Sequence, residues 1–173
     1  MMRRENKIRS AEDLLSELRI TNIPVSVEDI CAREGFNISV LDFSEVEKAH
    51  AGKKISGALI LKNGEKDIIV NQEDNRLRQR FTIAHELGHY YLHHIEAVDS
   101  EEHAIISFRG DRNVVEFEAD RFAAELLMPS KQIDRLYKEL DLPYISVLAN
   151  KFDVSRAAMR YRLDTLDRNY IDL

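Results

Sequence analysis

The sequence predicts an α+β fold: a small antiparallel sheet packed on one long helix, followed by a helical, helix-turn-helix-like C-terminal segment. Three observations carry that expectation. The run Phe81-Thr82-Ile83-Ala84-His85-Glu86-Leu87-Gly88-His89 spaces its polar and apolar residues three and four apart, the period of a helix. Residues 55–71 hold two strand-like runs around Asn63-Gly64, a dipeptide suited to a tight hairpin turn. Residues 142–166 pair two short helical patterns across a turn at Phe152-Asp153-Val154. The expected units are residues 1–130 and 131–173.

The whole chain narrows the class. At 173 residues it can bury a real core as one domain, or as one domain with an appendage. A formal net charge of −6 argues against general nucleic-acid binding, which depends on neutralising phosphates. Cys31 is the single cysteine, which excludes an internal disulfide and fits a reducing compartment; between Ile30 and Ala32 it reads as a small core residue. The start, Met1-Met2-Arg3-Arg4-Glu5-Asn6-Lys7, is basic but leads into no apolar stretch, so no signal peptide is expected. No run approaches the roughly 18 apolar residues of a membrane span. The expectation is a soluble, cytoplasmic protein.

The elements follow in order. Ser10 can cap a helix over 10–18, with Ala11, Leu14, Leu15 and Leu18 on one face. Pro24 breaks the chain, Ser26 caps a second helix over 27–34, and Gly35 ends it. Residues 36–43 alternate loosely and predict a strand, while the charged stretch 44–54 predicts a loop. In the hairpin, 56–61 and 67–70 are the strands. Its edge could hold an extended peptide, or the strands could simply pack under the long helix. Residues 95–112, polar and containing Gly110, predict a loop beside the site.

The long helix carries the chemistry. His85 and His89 lie four apart, on one helix face, and can send both imidazoles to one metal ion. A zinc ion held this way has nitrogen ligands at about 2.0–2.1 Å and keeps a position open for water. Glu86 can then act as general base on that water. Thr82, His85, Glu86, His89 and His93 form a polar stripe; Leu77, Phe81, Ala84, Gly88 and Leu92 form an apolar one. Glycine inside a helix costs roughly 1 kcal/mol relative to alanine, so Gly88 implies a close packing contact or a site requirement.

A catalytic zinc usually has three protein ligands. The spacing H-E-x-x-H-x-x-G-x-x-H would need glycine at Leu92 and histidine at Ile95, so that arrangement is excluded. His93 would stack a third imidazole along one helix, a poor geometry for one ion. His94 and His103 read more readily as solvated or packed side chains. Residues 114–129 form a better source: a helix ended by Pro129. Glu118, Arg121 and Glu125 share a face that reads as charged surface. Glu116 and Asp120 fall in line with Ala123 and Leu127, beside the apolar stripe Val115, Ala119, Phe122 and Leu126. Two inward carboxylates need partners. Glu116 as a ligand and Asp120 as acceptor for a ligand imidazole N–H would satisfy both. The competing account is an inward salt bridge to Arg80 or Arg121.

The segments 80–89 and 116–129 closely resemble the ImmA/IrrE family of metallopeptidases, as do Pro24-Val25-Ser26-Val27 and Ile55-Ser56-Gly57. The resemblance covers most of the chain and implies a zincin-like, more narrowly gluzincin-like, core. By position it implies Zn²⁺ held by His85, His89 and Glu116, with Glu86 as catalytic base; Asp120 stands where relatives vary between Asp and Asn. It also implies a site-specific protease that cleaves a helix-turn-helix repressor and so relieves repression. The individual target does not transfer.

In that reading the metal polarises the scissile carbonyl and its water, and Glu86 passes the water proton to the leaving amine. Tyr90, His93, His103 and Tyr161 are all candidates for the oxyanion donor or a substrate contact, and the sequence does not choose among them. Arg156, Arg160 and Arg162 on the last helix could read DNA. Yet residues 131–173 carry eight Lys/Arg against seven Asp/Glu, so a structural or partner-binding role is favoured over direct DNA binding. The alternative function is a DNA- or repressor-binding regulator with a structural or sensory metal site. A zinc hydrolase of a non-protein substrate is a third.

Overall fold

The computed structural model describes residues 10–95, 102–140 and 143–172. Its elements run α1 (Ala11–Glu17), α2 (Val27–Glu34), β1 (Asn37–Leu41), α3 (Ser44–Ala49), β2 (Ile55–Lys62), β3 (Glu65–Asn71), α4 (Arg76–Tyr91), β4 (His103–Phe108), α5 (Val114–Leu127), α6 (Ser130–Glu139), α7 (Ile145–Phe152) and α8 (Arg156–Thr165). Short polar side chains set many of the helix starts. Ser10, Ser26, Asn75, Asn113 and Ser155 each precede a helix and accept the backbone N–H three residues on, satisfying a donor that the first turn leaves free. Gly35 ends α2 in the left-handed region.

The architecture is α+β, with four strands in the order β1-β3-β2-β4. β2 and β3 form the expected hairpin, and Asn63 and Gly64 both take positive φ, as its two-residue turn requires. β4 pairs antiparallel with the other side of β2. β1 pairs parallel with β3, so the sheet is mixed rather than antiparallel. The reason is topological: α3 and β2 intervene between β1 and β3, returning the chain in the same direction. The hairpin strands are therefore the inner two, and the free edges belong to β1 and β4. α4 packs on β2 and β3, and α5 on α4.

Two segments expected as loops have structure. Within 44–54, α3 forms because Glu47 has an internal use for its charge. Its buried carboxylate accepts from the Ile55 N–H at 2.9 Å and from Lys54 Nζ at 2.8 Å. Within 95–112, residues 96–101 lie outside the described residues, but His103–Phe108 is strand β4, carried by the apolar pair Ile105-Ile106. The predicted start of the C-terminal pattern at Leu142 also lies outside the described residues, as does the N-terminal basic stretch. A single hydrophobic cluster joins Leu14, Ile30, Leu59, Ile68, Leu87 and Leu126 to Ile133, Leu148, Phe152 and Met159. Cys31 is buried in it, and burial pushes its thiol up to about 12, so it stays protonated and inert. Among the described residues no helix is long and apolar enough to cross a membrane.

Candidate metal centre

The middle of α4 is enclosed on every side: Thr82 through His89 are all buried. Its polar stripe therefore faces the interior as fully as its apolar one. The two-stripe expectation shifts accordingly, with Ile83, Leu87 and Tyr91 supplying the deep contacts while Leu77 and Phe81 border an open cleft. Two glycines permit this enclosure. A methyl on Gly88 would meet Ala119 Cα and O and Phe122 Cβ at 3.1 Å, so Gly88 sets the spacing of α4 and α5. A methyl on Gly57 of β2 would meet Thr82 Cγ2 at 2.5 Å, the Ile69 carbonyl oxygen at 2.7 Å and Glu86 Oε1 at 3.3 Å.

Close approach of α4 and α5 brings together three groups that could hold a metal ion. His85, His89 and Glu116 each offer one atom, all within 4.8 Å of one another. His85 Nε2 lies 3.0 Å from His89 Nε2 and 3.2 Å from Glu116 Oε2, and His89 Nε2 lies 3.4 Å from Glu116 Oε1. Tetrahedral ligands about 2.0–2.2 Å from a zinc ion sit roughly 3.3 Å apart, so the donor set fits such an ion without rearrangement. Electrostatics agree. Burial alone would lower the His85 imidazole, but Asp120 and Glu116 outweigh it and lift it to about 10. Burial would raise the Glu116 carboxyl, but His85 and His89 bring it down to about 2. The metal-free cluster holds a proton tightly for the same reason that it would hold a cation.

Each of the two imidazoles in this cluster has an outer partner on its other nitrogen. His85 Nδ1 lies 2.9 Å from Asp120 Oδ1, as the sequence suggested. Asp120 is not turned inward, however: its side chain is 58% exposed and reaches His85 from the cleft rim. The predicted alternative pairings are absent, since Arg80 engages Asp153 and Arg121 engages Glu125. His89 Nδ1 lies 3.0 Å from His94 Nδ1, and His94 Nε2 lies 3.0 Å from Glu118 Oε2. Both partners were read differently from sequence, His94 as incidental and Glu118 as charged surface. Periodicity could not reveal the contact, because His94 lies beyond the helix end and reaches Glu118 only through tertiary packing. Burial holds the His94 imidazole below its ordinary value.

Glu86 is fully buried, and neither of its carboxylate oxygens has a hydrogen-bond partner among the described residues. Burial pushes its carboxyl up to about 7, against the opposing pull of His85. Ser107 Oγ on β4, opposite Gly57, is likewise buried outside hydrogen-bonding geometry, and its hydroxyl adds a lowering influence on the Glu86 carboxyl. A cleft of about 500 Å³ opens beside these groups, bordered by His85 and Glu116, by the end of β4 (Ser107, Phe108) and by the start of α8 (Ser155, Ala158).

The C-terminal helix pair is fixed against α4. Asp153 takes the left-handed turn position (φ 55°), which aspartate tolerates better than most residues. Arg76 donates to both its carboxylate oxygens at 2.5 Å, and Arg80 donates to its carbonyl at 3.1 Å and to that of Val25. Arg156 and Arg160 both pair with Asp172, and buried Arg162 donates to the Met128 carbonyl. Of the four weaker site candidates, none borders the cleft. Tyr90 packs edge-on against Phe36, His93 is exposed at the end of α4, His103 sits at the far end of β4 opposite Leu61, and Tyr161 points to solvent.

Residues 31–164 match the peptidase M78 family, described as the IrrE N-terminal-like domain. The chain is similar to the radiation response metalloprotease IrrE of Deinococcus deserti (strain DSM 17065 / CIP 109153 / LMG 22923 / VCD115), with 35% identity over 100 residues, 56% of this chain and 35% of that protein. It is also similar to the metallopeptidase ImmA of Bacillus subtilis (strain 168), with 25% identity over 149 residues, 81% of this chain and 83% of that protein. The match thus spans about a third of the IrrE protein and most of ImmA.

Proposed function

Because the chain belongs to the peptidase M78 family, we propose that it is a zinc-dependent, site-specific endopeptidase with a zincin-like core, cleaving a helix-turn-helix repressor in the cytoplasm. The observation that carries the peptidase reading is the buried Glu86 carboxylate, without a hydrogen-bond partner among the described residues, next to the His85, His89 and Glu116 cluster, of which His85 and Glu116 line an open cleft. A structural metal site has no use for such a group. The similar proteins, a metalloprotease and a metallopeptidase, support the same chemistry. The repressor as substrate rests on the family resemblance of the motifs.

In this reading His85, His89 and Glu116 would hold the ion, which when bound would supply Lewis acidity toward the scissile carbonyl and the attacking water. Glu86 takes the proton of that water and later gives it to the leaving amine. Asp120 fixes the His85 ring with its Nδ1–H outward and Nε2 toward the cluster. The enclosure of α4 keeps bulk water from the base. Residues 1–130 form the peptidase unit, and residues 131–173 add the helix-turn-helix-like unit, whose α8 walls the cleft.

The test compares wild type with Glu86→Gln after incubation with a lysate of the source cell, reading new protein N-termini by mass spectrometry. A few neo-termini made by wild type alone, within a helix-turn-helix repressor, are expected. Identical profiles with zinc bound to both proteins would instead favour the regulatory reading.

A further inference from the structure

We propose that His94 and Glu118 form an outer relay that orients His89 toward the metal, and that the stop signal of α4 is what places it there. The inference rests on the reading of His85, His89 and Glu116 as the metal-binding set. α4 does not end on a glycine. Its C-cap is Leu92, and His93 takes the left-handed conformation at φ 58°. The His93 N–H then bonds the Tyr90 carbonyl at 3.2 Å, and the His94 N–H bonds the His89 carbonyl at 3.0 Å. This pair of bonds is a Schellman stop, which folds the chain back over the last helical turn. The fold-back binds His94 to His89 twice, through its backbone N–H and through its ring, whose Nδ1 lies 3.0 Å from His89 Nδ1.

One tautomer assignment satisfies every atom. For His89 Nε2 to offer a lone pair to the ion, its proton must sit on Nδ1, which donates to His94 Nδ1. His94 must then carry its proton on Nε2, and that nitrogen lies 3.0 Å from Glu118 Oε2. The His94 side chain is only 8% exposed, so this orientation is held by packing. His85 and His89 thus end on carboxylates of the same helix, Asp120 directly and Glu118 through a spacer.

Zinc affinity of the full chain, measured by competition with a chromophoric chelator, tests this. His94→Ala is expected to weaken zinc binding roughly 10–100-fold, the range for lost outer-shell partners. His94→Gln should recover most of the affinity, because its amide oxygen can accept from His89 while its NH₂ donates to Glu118. Glu118→Ala, at a half-exposed side chain where misfolding is not a concern, should lower affinity several-fold. Thermal unfolding of the metal-free proteins separates metal orientation from general damage. Wild-type zinc affinity in His94→Ala, or a His94→Gln protein as weak as His94→Ala, would overturn the relay. Failure of wild type itself to bind zinc would instead overturn the metal-site reading beneath it.

Discussion

The helix pairs α4–α5 and α7–α8 are both rich in charged side chains, and they handle those charges in opposite ways. In α4–α5 the charges converge without cancelling: Glu86 accepts no hydrogen bond from the described residues, and His85, His89 and Glu116 point their free atoms at one another. Around α7–α8 the charges are matched by other groups of the chain. Asp153 takes Arg76, Asp172 takes both Arg156 and Arg160, and Arg162 caps a backbone carbonyl. Buried polar groups without partners are costly, so a fold keeps them only where something else completes them. A helix-turn-helix shape therefore says less about function than the state of its side chains. Here two short helices meet at a left-handed turn on Asp153, but Arg156, Arg160 and Arg162 are committed within the chain.

The sharpest break in the comparison removes the open charge without changing its shape. Glu86→Gln is expected to lower peptide cleavage by about 10²–10⁴, the usual contribution of a general base, while zinc content by atomic absorption stays at the wild-type level. Glu116→Ala should do the reverse at the first step, losing stoichiometric zinc. Full zinc occupancy in Glu116→Ala would remove it from the metal-binding set.

Gly57→Ala tests the enclosure rather than the charge. The added methyl meets the Ile69 backbone at 2.7 Å and cannot be relieved by a side-chain rotation. Overpacking of this kind costs about 1–3 kcal/mol, which a urea titration would resolve. Unchanged stability would mean that β2 and α4 are less tightly seated than the site requires.

How much of this was legible in the sequence follows from what local pattern can encode. The helix caps, the Asn63-Gly64 turn, the His85/Glu86/His89 triplet and the Glu116 candidate all depend on short-range spacing, and all are where the spacing put them. β4 and α3 were missed because each is specified by a distant partner. His103–Phe108 becomes a strand by pairing with β2, and α3 forms around the bond from Glu47 to the Ile55 backbone. The parallel placing of β1 beside β3 has no local signature. His94 and Glu118 escaped for a related reason: one lies past a helix end marked by a left-handed histidine instead of a glycine, and the other sits on a face that reads as surface.

Asp153→Asn probes how firmly the closed pair is tied to the open one. Asparagine keeps the tolerance for the left-handed turn, so the substitution removes the charge and one of the two acceptor oxygens without straining the backbone. Weakening the two bonds from Arg76, with Arg80 buried beside them, should lower stability by about 1–3 kcal/mol at neutral pH. The Arg76 hydrogen bonds hold the Asp153 carboxyl below its ordinary value of 3.8. A depressed carboxylate stabilises the fold above its unfolded-state value and loses that contribution as pH falls through the folded one. The gap between wild type and Asp153→Asn should therefore be constant above about pH 5 and shrink below pH 4. A gap that widened on acidification would assign the effect to something other than this ion pair.

The smallest effect is expected from the double variant Arg156→Ala/Arg160→Ala. Both side chains are half-exposed, and exposed ion pairs contribute about 0–1 kcal/mol, so unfolding midpoints should barely move. The informative readout is binding to a short DNA duplex across a salt series. A protein that reads DNA through α8 would lose affinity steeply with salt, and the slope would fall by about one to two phosphate contacts in the variant. With both arginines held by Asp172, wild type and variant should give the same weak, shallow curve. A steep wild-type slope that flattens in the variant would show that the Asp172 pairing opens to DNA, and the contrast between the two helix pairs would fail at its closed end.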